Sequence, residues 1–169
     1  MGKFSTEALA KRHDRGAFDC GMEELNVYLR QQASQDVKKL AAAVFVMVPA
    51  DQPKRIAGFY TLSSASVRLS DIPEQRRTKF ARYPDVPAIL VGRLARDVGF
   101  PGLGAKLLVD AFTRSQRVAD EIAATVILVD AKNDHARKFY QTFGFQAVLD
   151  RPDRLFLPMK TVADVLADD

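Results

Sequence analysis

Apolar and polar residues follow one another along this chain in runs whose lengths predict both strands and helices. Five apolar runs have the length of a buried or half-buried strand. They cover residues 42–48, 55–62, 88–95, 125–129 and 154–159. The turn-forming segment Pro49-Ala-Asp-Gln-Pro53 separates the first two runs, so these two strands are expected to form an antiparallel hairpin.

Helical spacing fills the intervals between these strands. Leu25, Tyr28 and Leu29 lie at i, i+3 and i+4, which predicts a helix from Glu23 that continues, with or without a break, to about Lys39. A second helix is predicted from one apolar stripe, consisting of Leu103, Leu107, Leu108, Ala111 and Phe112.

A third helix is expected from about Asn133 to Phe143, with Gly144 as a left-handed cap. Residues 70–87 contain three prolines and predict a loop or an irregular helix, and the acidic end at 163–169 predicts a frayed helix. The order of elements predicts an α/β fold with a mixed central sheet flanked by helices. At 169 residues, the chain is expected to form a single domain, residues 1–169.

Composition narrows the class of protein. No apolar run approaches the ~20 residues that span a bilayer, and the first residues lack the apolar segment of a signal peptide. The lone Cys20 excludes an internal disulfide and fits a cytoplasmic location, and the two histidines have no spacing typical of a metal site. A net charge of +4 indicates an anionic partner only weakly.

Two features could carry chemistry, and each has a purely structural alternative. The glycine segment Gly99-Phe-Pro-Gly102-Leu-Gly104 stands where a strand gives way to a helix, so it is either a tight turn or a site where helix amides bind an anion. Tyr140 shares a helical face with Ala136 and Phe143, so it is either a core aromatic residue or a functional one.

The pattern Asn133-x-x-Ala136-x-x-x-Tyr140-x-x-x-Gly144-Phe145, together with the glycine segment, resembles the GNAT superfamily of acetyl-CoA-dependent N-acetyltransferases. The resemblance implies the GNAT fold, with a splayed cofactor cleft in the sheet. It also implies that Tyr140 is the catalytic residue, near the thioester sulfur. The residues it implies for cofactor binding are Leu94, Ala95, Arg96, Gly99, Gly102, Leu103, Gly104, Ala105, Lys106 and Asn133.

The loop departs from the family pattern. Gly99 occupies the position where the family has Gln or Arg, the spacing from Asp97 to Gly104 is about two residues short, and Pro101 removes one N–H donor. We therefore expect fewer contacts to the pyrophosphate and weaker binding of acetyl-CoA.

The chemistry of amine acetylation suits a tyrosine. With a reference pKa of ~10, Tyr140 stays protonated at neutral pH and can protonate the leaving thiolate. A backbone N–H near Leu94 or Ala95 could hold the oxyanion. The sequence shows no clear general base, which favours an α-amine acceptor, because its reference pKa of ~7.7–8 leaves a neutral fraction.

The N-terminal half resembles a narrower group, the GNAT toxins of bacterial toxin–antitoxin pairs. The matching segments are Phe18-Asp-Cys20-Gly21, Leu25-x-x-Tyr28-Leu29, Gly58-Phe59-Tyr60 and Gly92-Arg93-Leu94-Ala95-Arg96-Asp97. The resemblance implies a homodimer that acetylates aminoacyl-tRNA, blocks translation and is neutralised by a ribbon-helix-helix antitoxin.

Basic residues are then expected to contact the phosphates of tRNA, although each could equally belong to a solvated face. They are Arg30, Lys38, Lys39, Arg76, Arg77, Arg93 and Arg96. Two other functions remain open at this point. One is a GNAT enzyme acting on a protein or small-molecule amine. The other is a degenerate, non-catalytic domain that only binds a partner.

Overall fold

The computed structural model describes residues 2–168, which form one seven-stranded sheet and six α-helices within that range. The strand order in the sheet is β1-β2-β3-β4-β5-β7-β6. The strands are β1 (Phe4–Ala8), β2 (Ala43–Pro49), β3 (Gly58–Arg68), β4 (Asp85–Arg96), β5 (Val126–Asp130), β6 (Gln146–Val148) and β7 (Arg151–Pro158). The helices are α1 (Glu23–Val27), α2 (Ala33–Lys38), α3 (Glu74–Arg77), α4 (Leu103–Glu121), α5 (Asp134–Gln141) and α6 (Met159–Ala167).

The chain divides into two compact units. The first consists of the residues up to Ser63 together with Arg93–Ala111, and the second consists of Ser64–Gly92 together with the residues from Phe112 onward. Strands β3 and β4 and helix α4 each contribute residues to both units. That the chain forms a single domain stays a prediction.

The first unit is built on the predicted antiparallel hairpin. Strands β2 and β3 pair from Ala43 opposite Leu62 onward, and β1 adds to the other edge of β2. Below these strands, Phe18 packs edge-on against Phe59, with ring centroids 5.5 Å apart, in a core that also contains Leu29. Helices α1 and α2 are joined by a π-helical turn, Tyr28–Gln32, so the predicted helix is broken there.

The second unit contains the parallel pair expected of a strand-helix-strand segment. Ala88 pairs with Val126 in parallel, and α4 supplies the long connection that two parallel strands require. Strand β7 pairs antiparallel with β5 and with β6. Apolar side chains from these strands, including Leu128 and Phe156, form the core of this unit.

Several sequence predictions needed correction. Strands β1 and β6 were missed, because they are short and carry few apolar residues. Strand β3 begins at Gly58 rather than residue 55 and continues to Arg68, since its second half alternates small polar and apolar residues. The apolar stripe of α4 is buried as predicted. Among residues 2–168, no helix combines the length and apolarity needed to cross a membrane.

Candidate active site

The loop between β4 and α4 is fixed at its start by Asp97, which is only 3% exposed. The backbone N–H of Asp97 donates to the carbonyl of Ala57 at 2.8 Å. Its carboxylate accepts the N–H of Asp19 at 3.0 Å and the N–H of Gly99 at 2.8 Å. Hydrogen bonds to a charged acceptor are the stronger kind, so the carboxylate ties the loop firmly to the segment at Asp19, while the backbone N–H of Asp97 ties it to Ala57.

These bonds determine which loop amides remain for an anion. The N–H groups of residues 98, 99 and 100 already donate to protein acceptors, at 2.9, 2.8 and 3.0 Å. Pro101 has no N–H. The donors that remain begin at Gly102 and continue into the first turn of α4, where the amides of a helix have no partner within the helix. An anion bound here would therefore contact the helix end rather than the loop before it.

The residues predicted to bind the pyrophosphate differ in whether their backbone amides are available to a ligand. Gly102, with φ +81°, turns the chain into α4 in the left-handed region that favours glycine. After it, the first turn of the helix contains the predicted Leu103, Gly104, Ala105 and Lys106. By contrast, the N–H of Gly99 is bonded to Asp97, so no free amide supports the prediction for Gly99.

Gly58 allows α4 to lie close to β3. A Cβ atom at this position would stand 2.6 Å from Cδ1 of Leu107 and 3.1 Å from the carbonyl oxygen of Ala95. A larger residue would force Leu107 and the carbonyl of Ala95 to shift, which gives a physical reason for the glycine that starts the segment Gly58-Phe59-Tyr60. Neither Gly58 nor Asp97 was predicted as a site residue. The available signal for Asp97 was an acidic residue directly between an apolar strand and a glycine loop.

Two basic side chains border the loop. Arg96 donates from Nη1 to the carbonyl oxygen of Asp97 at 3.3 Å, and Lys106 places its ammonium 5.4 Å from the ring centroid of Phe4. Both side chains are exposed, so both can contribute positive charge to an anion at the helix end. Leu94 and the buried Ala95 lie directly before Arg96, in the last part of β4.

In the second unit, Asn133 caps helix α5. Its side-chain oxygen accepts the N–H of Ala136 at 2.8 Å, the bond that an N-cap residue makes. The spacing Asn-x-x-Ala in the motif therefore has a structural cause, independent of any ligand. Asn133 is exposed, and this bond uses only its side-chain oxygen.

Tyr140 lies near the end of the same helix and is 5% exposed. Its ring packs edge-on against Phe139 and Phe145, with centroids 5.3 and 5.5 Å away. The chain then reverses at Gly144, whose φ of +99° matches the predicted left-handed cap. Tyr140 is thus a core aromatic residue by its ring, as its periodicity indicated.

The hydroxyl of Tyr140, unlike its ring, has an altered pKa and no hydrogen-bond partner among residues 2–168. Burial raises the pKa of Tyr140 above its ordinary value, and the nearby charge of Asp130 raises it further. Within residues 2–168, no group forms a hydrogen bond with this hydroxyl. The side chain is therefore a neutral phenol whose proton is not committed to the protein. The prediction of a core aromatic and the prediction of a functional tyrosine are compatible, since they concern different atoms.

The candidate tRNA residues are distributed over both units. Four of the seven are already hydrogen-bonded through their side chains. Arg30 bonds Glu23, Arg76 bonds Gln146, Arg77 bonds the carbonyls of Ile72 and Ser70, and Arg96 bonds the carbonyl of Asp97. Lys38 and Lys39 are exposed at the end of α2, and Arg93 lies on β4.

His13 has a structural role near the start of the chain. The buried His13 accepts the N–H of Ala10 at Nδ1, 2.9 Å away, and its Nε2 lies 2.8 Å from the carboxylate of Glu7. The bond from His13 is the largest cause of the lowered pKa of Glu7. Among the residues that the structure describes, no group of three or more His, Cys, Asp or Glu side chains could hold a metal ion.

A helix that begins at glycines with its first amides available, and a buried neutral tyrosine, are the features expected of a GNAT acetyltransferase. No protein-family model matches the chain. Solved structures do share its fold. A tyrosine-to-phenylalanine mutant of KacT superposes with a TM-score of 0.89 at 25% identity, covering 96% of this chain and 98% of that one. AtaTR bound with acetyl-CoA gives 0.83 at 25% identity, over 96% and 97% of the two chains.

Proteins similar to this chain in sequence are named as toxins. The tRNA-acetylating toxin of Mycobacterium tuberculosis is 35% identical over 170 residues, which cover 99% of each chain. The probable toxin TacT of Sinorhizobium fredii is 30% identical over 164 residues, covering 92% of this chain and 90% of that protein. The chain therefore belongs to the family of GNAT acetyltransferase toxins of bacterial toxin–antitoxin systems.

Proposed function

We propose that this protein transfers the acetyl group of acetyl-CoA to the α-amine of the amino acid carried by charged tRNA, and so blocks translation. The relative from Mycobacterium tuberculosis, similar along its whole length, is named for acetylation of tRNA. The AtaTR structure, similar in fold along nearly its whole length, is bound with acetyl-CoA. Both support the choice of substrates.

The observation that carries the proposal is the state of Tyr140. Acetylation of an amine by a thioester expels a thiolate, which needs a proton to leave as a thiol. Burial raises the pKa of Tyr140, so the phenol is protonated throughout the neutral range, and no described group competes for its hydroxyl. A general acid of this kind contributes about 10²–10⁴-fold to the rate.

One general acid is sufficient to account for every bond and proton in the transfer. The neutral amine nitrogen forms a bond to the carbonyl carbon, and the carbon–sulfur bond then breaks. Tyr140 gives its proton to the departing sulfur, and the proton that the amine loses restores the tyrosine to its neutral form. An α-amine suits this scheme because its reference pKa of ~7.7–8 leaves it partly neutral without a base.

The loop before α4 supplies the binding part of the scheme. The amides from Gly102 onward, and the positive end of the helix dipole, suit a pyrophosphate of acetyl-CoA. Gly104 adds no side chain that would keep a phosphate from the backbone. Because residues 98–100 use their amides within the protein, the set of donors is small, and modest affinity for acetyl-CoA is expected.

The proposal extends to partners and location. As a member of a toxin–antitoxin family, the protein is proposed to be a cytoplasmic homodimer that a ribbon-helix-helix antitoxin neutralises. Size measurement in solution tests the dimer. Co-purification with the product of an adjacent gene tests the antitoxin.

The function itself is tested by incubating the protein with labelled acetyl-CoA and bulk charged tRNA. Label is expected on the amino acid released from tRNA by mild base, and not on uncharged tRNA. Label that appears only on free amino acids or on protein would replace tRNA with another amine acceptor.

A further inference from the structure

The guanidinium group of Arg93 stacks with its flat face on the ring of Tyr28. The guanidinium carbon lies 3.7 Å from the centroid of the Tyr28 ring, the separation of a close cation–π stack. The backbone of Arg93 is fixed as well, since its N–H donates to the hydroxyl of Thr61 at 3.1 Å. The residue therefore has a defined place at the end of β4 and on the surface of the tyrosine.

The tyrosine that carries Arg93 is itself rigid. Tyr28 is 6% exposed, and its other face stacks on Phe59 with ring planes 16° apart. Its hydroxyl donates to Oδ2 of Asp36 at 2.7 Å. A hydrogen bond from Gln32, and then the one from Tyr28, lower the pKa of Asp36, so the carboxylate is ionised at neutral pH. The negative charge of Asp36 also interacts electrostatically with Arg93.

The π-helical turn brings Tyr28 and Asp36 to the same side of the helix. An α-helix turns about 100° per residue, so positions eight apart differ by about 80°. A π-helical turn absorbs about one residue, because its hydrogen bonds close at i+5 rather than i+4. The effective separation becomes about seven residues, which brings the two side chains within about 20° of one another. The break in the helix at residues 28–32 thus has a positional consequence.

The edges of the Arg93 guanidinium are not used by the protein. Across residues 2–168, no hydrogen bond or ion pair reaches its five N–H groups, and the side chain is only half-buried. The other arginines predicted to contact tRNA all donate to protein acceptors. An arginine anchored by its face and open at its edges is suited to bidentate recognition of an anion.

The chemistry of the acceptor indicates which anion. In aminoacyl-tRNA the carboxyl group of the amino acid is esterified, so the acceptor offers no free carboxylate. Its anion next to the reacting amine is the phosphodiester on the 5′ side of the terminal adenosine. Arg93 directly precedes Leu94 and Ala95, where a backbone N–H is expected to hold the oxyanion of the reacting acetyl group.

We propose that Tyr28 and Asp36 are positioning residues. They orient Arg93 so that the edge of its guanidinium forms two hydrogen bonds to the phosphodiester nearest the 3′ end of charged tRNA. This proposal rests on the function proposed above. It assigns the stack a role in substrate binding and not in the chemical step.

The test compares kinetic constants for charged tRNA at saturating acetyl-CoA. Arg93→Lys keeps the charge but loses the planar fork, and is expected to raise KM about tenfold while changing kcat less than about twofold. Tyr28→Leu removes the ring on which the guanidinium stacks, and its KM and kcat are expected to change by the same factors as those of Arg93→Lys. Arg12→Lys, at an arginine paired with Glu7 at 2.7 Å, is the matched control and should leave both constants unchanged.

Three further measurements separate positioning from general damage. The double variant Tyr28→Leu/Arg93→Lys should be no worse than either single variant, because both remove one contact. Tyr28→Phe and Asp36→Asn, which preserve the packing, should each raise KM about threefold. An aminoacyl-adenosine without phosphate should give the same KM with wild type and with Arg93→Lys.

The outcomes are distinct. No acetylation of charged tRNA by the wild-type protein would overturn the proposed function and this inference together. Normal wild-type activity with an unchanged KM for Arg93→Lys would overturn only the inference. Additive effects in the double variant, or an equal loss on aminoacyl-adenosine, would also overturn it. If Tyr28→Leu does not fold, the threefold effects of Tyr28→Phe and Asp36→Asn decide the question.

Discussion

Replacing Asp97 with alanine should both destabilise the protein and weaken its hold on acetyl-CoA. The carboxylate accepts two backbone N–H groups, those of Asp19 and Gly99, and lies 3.6 Å from Arg55. A hydrogen bond to a charged group is worth about 1.5–3 kcal/mol, so two such bonds give about 3–6 kcal/mol. Since Asp19 and Gly99 are exposed, water can replace part of the loss. The lower end, about 3 kcal/mol, is the expected cost.

That cost has two measurable consequences. For a domain of this size, about 3 kcal/mol corresponds to a fall in Tm of about 6–12 °C. The freed loop must also be ordered again when acetyl-CoA binds, which is expected to raise Kd about tenfold, or about 1.4 kcal/mol. Urea unfolding measures the first effect, and titration calorimetry with acetyl-CoA measures the second. Asp97→Asn, which keeps one acceptor oxygen, should show about half of each.

The control is Asp51→Ala, at an exposed aspartate in the turn after β2, where a change within about 0.5 kcal/mol is expected. The reasoning would be refuted if Asp97→Ala unfolded at the wild-type urea concentration, or if it bound acetyl-CoA as tightly as the wild-type protein. Either result would mean that the buried carboxylate does not hold the loop.

Three other predictions are tested with single substitutions. Gly104→Glu places a carboxylate in the first turn of α4 and should abolish acetyl-CoA binding in calorimetry while Tm stays within a few degrees; unchanged affinity would remove the loop assignment. Asn133→Ala removes the N-cap of α5 and should cost about 1 kcal/mol in urea unfolding, with no loss meaning that the cap is not formed in solution. Burial raises the pKa values of Tyr28 and Tyr140, so the stability that their neutral forms contribute is complete below the ordinary value of ~10 and falls as pH rises above it. Their phenylalanine variants should lose stability less steeply between pH 9 and 11, and parallel pH profiles would contradict the burial argument.

The long, periodic elements were predictable from the sequence because burial imposes their pattern. The stripe from Leu103 to Phe112 identified α4, and the apolar run at 125–129 identified β5, since each element buries a continuous surface. The Asn-to-Tyr motif identified α5 and its cap. By contrast, β1 forms by backbone pairing at the edge of the sheet, with Phe4 opposite Pro49, and such pairing leaves little trace in a five-residue segment.

The parts of the site that escaped prediction depend on contacts between distant residues. Asp97 bonds Asp19 across 78 positions of the chain, and nothing local to either residue indicates the pair. The stack of Arg93 on Tyr28 likewise joins strand β4 to the π-helical turn between α1 and α2. The sequence showed Tyr28 on an apolar helical face, but the π-helical turn that aligns it with Asp36 has no periodic signature of its own.

The central claim is that the neutral phenol of Tyr140 protonates the leaving thiolate, and single-turnover acetyl transfer to charged tRNA tests it most directly. Tyr140→Phe keeps the ring and its packing against Phe139 and Phe145 but removes the proton. Tyr83→Phe, at a tyrosine that is 71% exposed, is the matched control. The rate constant of Tyr140→Phe should fall about 10²–10⁴-fold with unchanged affinity for acetyl-CoA, and Tyr83→Phe should react like the wild-type protein. Transfer by Tyr140→Phe at the wild-type rate would contradict the account.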